Sequence, residues 1–169
     1  MHVTEHLDRA QAHWLPNPDE NTLSAYHRGY NNKGVTHTRT LSINPGRGFS
    51  IVDQVTMKNP KQPREVTLHW LLPDWQWAWQ EGVLQLSHQN HHIDLSINAY
   101  PLDTDALVPP SLVELVRAGE PLIGQRKDEI MGWVSPTYGV KIPTLSLSLT
   151  WKVSQSLSVD SIWLLRKDN

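Results

Sequence analysis

The stretch TLSLSLTWKV (144–153) alternates apolar and polar residues almost without fault. Successive side chains of an extended chain point to opposite faces, so this period of two predicts a strand with Leu145, Leu147 and Leu149 on a buried face and the serines on a wet one. The same alternation recurs along the chain. SLSVDSIWLL (156–165) follows directly. HTRTLSIN (37–44) and FSIVDQVTM (49–57) flank the turn sequence PGRG. REVTLHWLL (64–72) comes after a segment with two prolines. GVLQLSH (82–88) and HIDLSINAY (92–100) read as a hairpin with QNH at its tip. That makes seven strands by pattern, and the predicted fold is an all-β, antiparallel β-sandwich with at most one or two short helices. The one helix candidate is PSLVELVRAGE (110–120), with apolar residues at helical spacing and a glycine near its end. Residues 1–23 are expected to be a lead-in, frayed helix or extended chain, and 24–169 the sandwich.

Composition narrows the function classes. The chain has 169 residues, 15 basic and 17 acidic, with a net charge of −2. It carries no basic footprint of a nucleic-acid binder. Its apolar runs are too short to span a membrane, and the polar N-terminus has no signal-peptide core. There are no cysteines, which excludes disulfides and thiolate metal sites. Nine histidines are therefore the natural metal ligands or acid–base groups.

The hairpin around PGRG holds the candidate chemistry. If its turn has an odd number of residues centred on Gly46, paired positions sum to twice 46, and Arg39 lies opposite Asp53. His37 is then a diagonal neighbour of Asp53 on the same face. An even turn would put the groups on opposite faces. The simplest reading is an Arg39–Asp53 ion pair across the strands. A sharper one adds His37, with His69 from the next strand, as a two-histidine, one-carboxylate set for zinc. HQNHH (88–92) reads as a polar hairpin tip. No nucleophile elbow, zinc-protease helix or phosphate-binding glycine loop is present.

Eight tryptophans against one phenylalanine is unusual. Trp75, Trp77 and Trp79 share a face if LPDWQWAWQ (72–80) is extended. They are expected mainly in a packed core, with any exposed ring left for sugar stacking or an interface.

Four motifs occur in a telling order: SAYHRGYNNKGVTHTRTLSI, FSIVDQV, LHWLLP and GWVSPTYGVKIPTLSL. Together they resemble the C-terminal region of heparinase II/III-like polysaccharide lyases. The matching positions are His27, Gly29 and Tyr30, then His37 and Arg39, then Asp53, then His69 and Pro73. Gly132, Trp133, Ser135, Tyr138 and Gly139 complete the set. The resemblance implies a bacterial, periplasmic or secreted parent protein with an N-terminal helical toroid, which cleaves uronate-containing polysaccharide by β-elimination. It implies a structural zinc at His37, Asp53 and His69, and no catalysis by the sandwich alone. His27 would then reach the substrate cleft, its simpler reading being a loop histidine bonded to backbone. Alternatives are a stand-alone carbohydrate-binding sandwich and a structural cell-envelope domain.

Overall fold

The computed structural model describes residues 10–16, 21–27, 29–58, 62–125 and 128–167. Apart from a single 3-10 turn at Asn31–Lys33, its regular structure is strand. Each of the seven stretches with period-two alternation forms a strand. The chain divides into two compact units, each built on one large sheet.

The first unit carries an eight-stranded sheet in the order β1-β2-β3-β4-β14-β8-β7-β6. Its strands are β1 (Ala10–Pro16), β2 (Asn21–His27), β3 (Val35–Asn44), β4 (Gly48–Met57), β6 (Gln76–Gln80), β7 (Val83–His88), β8 (His91–Pro101) and β14 (Leu157–Lys167). The stretch expected as a lead-in thus contributes β1 and the start of β2. The last strand in sequence, β14, pairs antiparallel with both β4 and β8 and so occupies the middle of the sheet. Its alternate residues Leu157, Val159, Ser161 and Trp163 are buried, as are Leu95 and Ala99 on β8 and Leu84 and Leu86 on β7. These are cross-strand partners, so they form one apolar face. Trp163 stacks on Phe49, directly opposite, at 5.2 Å between ring centroids.

The second unit carries a four-stranded sheet in the order β10-β9-β13-β5. The strands are β5 (Arg64–Leu72), β9 (Leu112–Arg117), β10 (Glu120–Ile123) and β13 (Leu145–Val153). A small pair, β11 (Trp133–Val134) and β12 (Ile142–Pro143), stands apart from it. On β13, Leu145, Leu147, Leu149, Trp151 and Val153 are buried as the alternation predicts. Each buried leucine of this kind contributes roughly 2 kcal/mol of transfer free energy.

Two expectations fail here for identifiable reasons. The serine face of β13 is not wet: Ser146 is 1 % exposed and Ser148 9 %. The strand lies between β5 and β9, and its short serines sit below longer neighbours. Only Thr150 and Lys152 reach solvent to any extent. The helix expected over 110–120 is instead the β9–β10 hairpin. Ala118 and Gly119 both have positive φ, 52° and 84°, as a two-residue hairpin turn of this kind requires. Ladder partners on β13 then satisfy the backbone that a helix would have satisfied locally.

Candidate functional site

The β3–β4 hairpin turns through Pro45, Gly46 and Arg47, an odd turn centred on Gly46, and Asn44 faces Gly48. Gly46 has φ of +77°, which a side chain tolerates poorly and glycine tolerates freely. Arg39 therefore faces Asp53, and His37 faces Val55 one diagonal step away. The three side chains meet. Arg39 donates from Nε to Asp53 Oδ1 at 2.7 Å and from Nη2 to Oδ2 at 2.9 Å. His37 Nε2 donates to Oδ1 at 2.7 Å. The Asp53 side chain is only 6 % exposed, and its ladder partner on β14 is Val159.

Burial by itself would push the Asp53 carboxyl up. The hydrogen bonds and charges of His37 and Arg39 outweigh it, and the carboxyl is held below its ordinary range. A buried carboxylate that accepts three hydrogen bonds is locked as an anion and is a poor proton acceptor.

His27 closes β2 directly opposite His37. The register thus puts His27, His37, Arg39 and Asp53 on one face. His27 is exposed, and its Nδ1 accepts the Gly29 N–H at 3.1 Å. Its ring meets Tyr30 edge-on at 6.1 Å. A Cβ on Gly29 would lie 2.0 Å from His27 Cε1, so the glycine is what lets the ring fold over the turn. The H-x-G spacing was the signal for this arrangement in the sequence.

The chain matches the family described as "Heparinase II/III-like, C-terminal" over residues 5–160. It belongs to that family. No curated protein matches it. Among solved structures, the Heparinase III BT4657 gene product superimposes with a TM-score of 0.67 at 18 % identity, over 94 % of this chain and 21 % of that one. Heparan sulfate lyase HepC from Pedobacter heparinus gives 0.62 at 10 % identity, over 95 % and 22 %. A further Heparinase III structure gives 0.61 at 11 % identity, over 94 % and 22 %. The shared fold is all-β and β-sandwich-like. This chain spans about a fifth of the length of each of these proteins.

Within this heparinase II/III-like domain, His69 has a different setting from His37. It lies on β5 in the four-stranded unit, and its Nε2 is 2.6 Å from Ser146 Oγ. Partial burial depresses its pKa. Ser146 is too buried to serve as a nucleophile, so the pair is a structural contact. In the geometry described, His37 and Asp53 are bonded to each other and His69 to Ser146. Both oxygens of Asp53 are taken by Arg39, whose charge opposes a dication, and the Nε2 atoms of both histidines are engaged. Among the described residues no group of three or more His, Asp or Glu side chains is gathered to hold a metal.

The tryptophans of 75–79 are not fully buried in the core. Trp77 and Trp79 share a face of β6, Trp75 precedes it, and all three are half-buried. The reason is position: β6 is the edge strand of its sheet, with a neighbour on one side only. Among the described residues the buried tryptophans are Trp151 and Trp163, on inner strands of their sheets. In the late motif, Gly132 is required by a close approach, since a Cβ there would lie 2.5 Å from Ala118 N. Among the described residues no helix is long and apolar enough to cross a membrane.

Proposed function

We propose that this chain is the β-sheet domain of a uronate-polysaccharide lyase, one that completes a substrate cleft with a helical toroid and does not perform β-elimination alone. The parent protein is periplasmic or secreted. The observation that carries the reading is that the residues matching the family motif, His27, His37, Arg39 and Asp53, fall in one row on one face. β-Elimination needs a base for the proton beside the carboxylate and an acid for the leaving oxygen. In this row Asp53 is already fully hydrogen-bonded, and Arg39 and His37 are spent on it. They form a rigid support, and His27, exposed at the strand end, is the group able to touch a sugar. Trp75, Trp77 and Trp79 are the accompanying aromatic contacts. Structural zinc belongs to this proposal only as a state in which Arg39 has released Asp53. Metal analysis of the wild-type chain and of Arg39→Ala, with zinc titrated against melting temperature, tests it.

Incubation with heparan sulfate and with alginate, followed by the ultraviolet absorbance of the unsaturated product, is expected to show no turnover. A rate of about 1 s⁻¹ would mean that the chain is a complete enzyme. Uronate oligosaccharides should bind the wild-type chain and bind His27→Ala more weakly. Equal binding would remove His27 from the cleft.

A further inference from the structure

The late motif GWVSPTYG is the part of the family pattern that the histidine row leaves unused. It opens a small hairpin in the second unit, with Trp133 opposite Pro143 and Val134 opposite Ile142. The Gly132 carbonyl accepts the N–H groups of Ala118 and Thr144, both at 2.9 Å, which ties the hairpin to the β9–β10 turn and to the residue before β13. Ser135 Oγ donates to the Thr137 carbonyl, which also accepts the Val140 N–H, so the turn over 135–141 is held from within. A groove of about 410 Å³ opens on this hairpin, within the range of small-ligand sites. Trp133, Val134, Ser135, Gly139, Val140 and Lys141 line it.

Two side chains of this groove carry donors without an acceptor. Lys141 Nζ lies 4.2 Å from the centroid of the Trp133 ring, a cation–π contact. Among the described residues Lys141 has no ion pair. Trp133 Nε1 is buried and has no hydrogen-bond partner among the described residues. Ser135 has given its hydrogen to Thr137, and none of the lining residues is acidic. A buried donor left open is costly unless an acceptor reaches it. Tyr138, in the same turn, is fully exposed.

We propose that this groove binds a uronate residue through its carboxylate, as a second sugar contact besides His27. The open donors and the absence of an acid from the lining call for an anionic acceptor, and the choice of a uronate among carboxylates rests on the lyase reading. An ionised carboxylate only accepts hydrogen bonds, and the Lys141 ammonium only donates them. The contact with Trp133 already restrains that ammonium, so less side-chain freedom is lost when the ion pair forms. The open N–H of the same indole, a positive ring edge, adds to the pull on an anion. Val134 and Val140 offer the apolar contact that the C–H face of a sugar ring makes, with Tyr138 as an exposed ring beside them.

The test is a titration of the nitrogen-labelled full chain with glucuronate, glucose and acetate in separate arms, each to about 10 mM. The readouts are the Trp133 indole N–H, assigned through Trp133→Phe, and the amides of 133–141. Glucuronate is expected to shift them with a Kd of the order of 1 mM. Glucose is expected to leave them in place, and acetate to bind at least about fivefold more weakly than glucuronate. Lys141→Met should weaken glucuronate about fivefold or more. No glucuronate shift at these positions, an equal shift with glucose, acetate binding as well as glucuronate, or full binding by Lys141→Met overturns the proposal. The wild-type arms decide it even if a variant fails to fold. Amides of β2 and β3 report on His27 in the same spectra, so shifts there without shifts at 133–141 would sink this groove and spare the lyase reading.

Discussion

Two aspartates of this protein meet an arginine in the same way and differ in what that contact is worth. Asp53 takes both arms of Arg39, and Asp74 takes both arms of Arg117, at 2.6 Å each. The Asp53 side chain is 6 % exposed, whereas that of Asp74 is 33 % exposed. Asp53 has a third partner in His37 and a ladder position on the apolar face of its sheet. Asp74 sits in the connection after β5, where water competes for every bond. Hydrogen bonds to Arg117 hold the Asp74 carboxyl low, with only a small opposing effect of burial. At Asp53 burial is the largest influence and is overcome. Equal geometry thus gives unequal dependence on the partner: a buried carboxylate has nothing else to turn to.

The comparison can be broken at its base. Gly48 has φ of +140°, and a Cβ there would lie 1.9 Å from the Trp163 carbonyl oxygen on β14. Gly48→Ala should disrupt the end of the β3–β4 hairpin and its pairing with β14, costing about 3 kcal/mol or more in chemical denaturation. The Arg117–Asp74 pair does not depend on that hairpin. A fully tolerated alanine would show that the strand contact is not what fixes the register.

Asp53→Ala removes the shared acceptor of Arg39 and His37. The expected loss is about 2 kcal/mol, held below the cost of a fully buried pair because Arg39 can turn to water. An effect as small as that of Asp74→Ala would refute the distinction drawn between the two pairs.

Acid sharpens it further. His69 has a depressed folded pKa, so its contribution is present above its ordinary value of about 6.5 and is lost as pH falls below it. Asp53 is also depressed, and its contribution is present above about 3.9 and lost as pH falls through the lower folded value. Melting temperature should therefore decline in two steps on acidification. His69→Gln should flatten the first and Asp53→Ala the second. A single step unchanged by either variant would contradict the assignments.

The smallest effect is expected at the surface. Asp74→Ala should cost less than about 1 kcal/mol, and less still at high salt, because exposed ion pairs are screened. A loss equal to that of Asp53→Ala would mean that Asp74 organises its loop as well as pairing with Arg117.

The sequence by itself determined half of the strands and narrowed the β3–β4 pairing to an odd or an even turn. Period-two alternation marked seven of them, because a half-buried strand must alternate whichever sheet it joins. Of the two turns that the sequence allowed, the odd one at Gly46 puts Arg39 against Asp53 and His37 beside them, since a short hairpin settles its register within its own few residues. Tertiary structure decided everything that depends on a strand's neighbours. Alternation cannot tell a central strand from an edge one, so Ser146 and Ser148 proved buried on β13, while Trp77 and Trp79 on edge strand β6 did not reach the core. Apolar spacing over 110–120 suits a helix and a strand alike. The turn at Ala118–Gly119 and the partner β13, some thirty residues away, chose the strand. His69 aligned with the family motif, yet its Nε2 is committed to Ser146 in the four-stranded sheet, a partner assigned by long-range ladder pairing and invisible in local sequence.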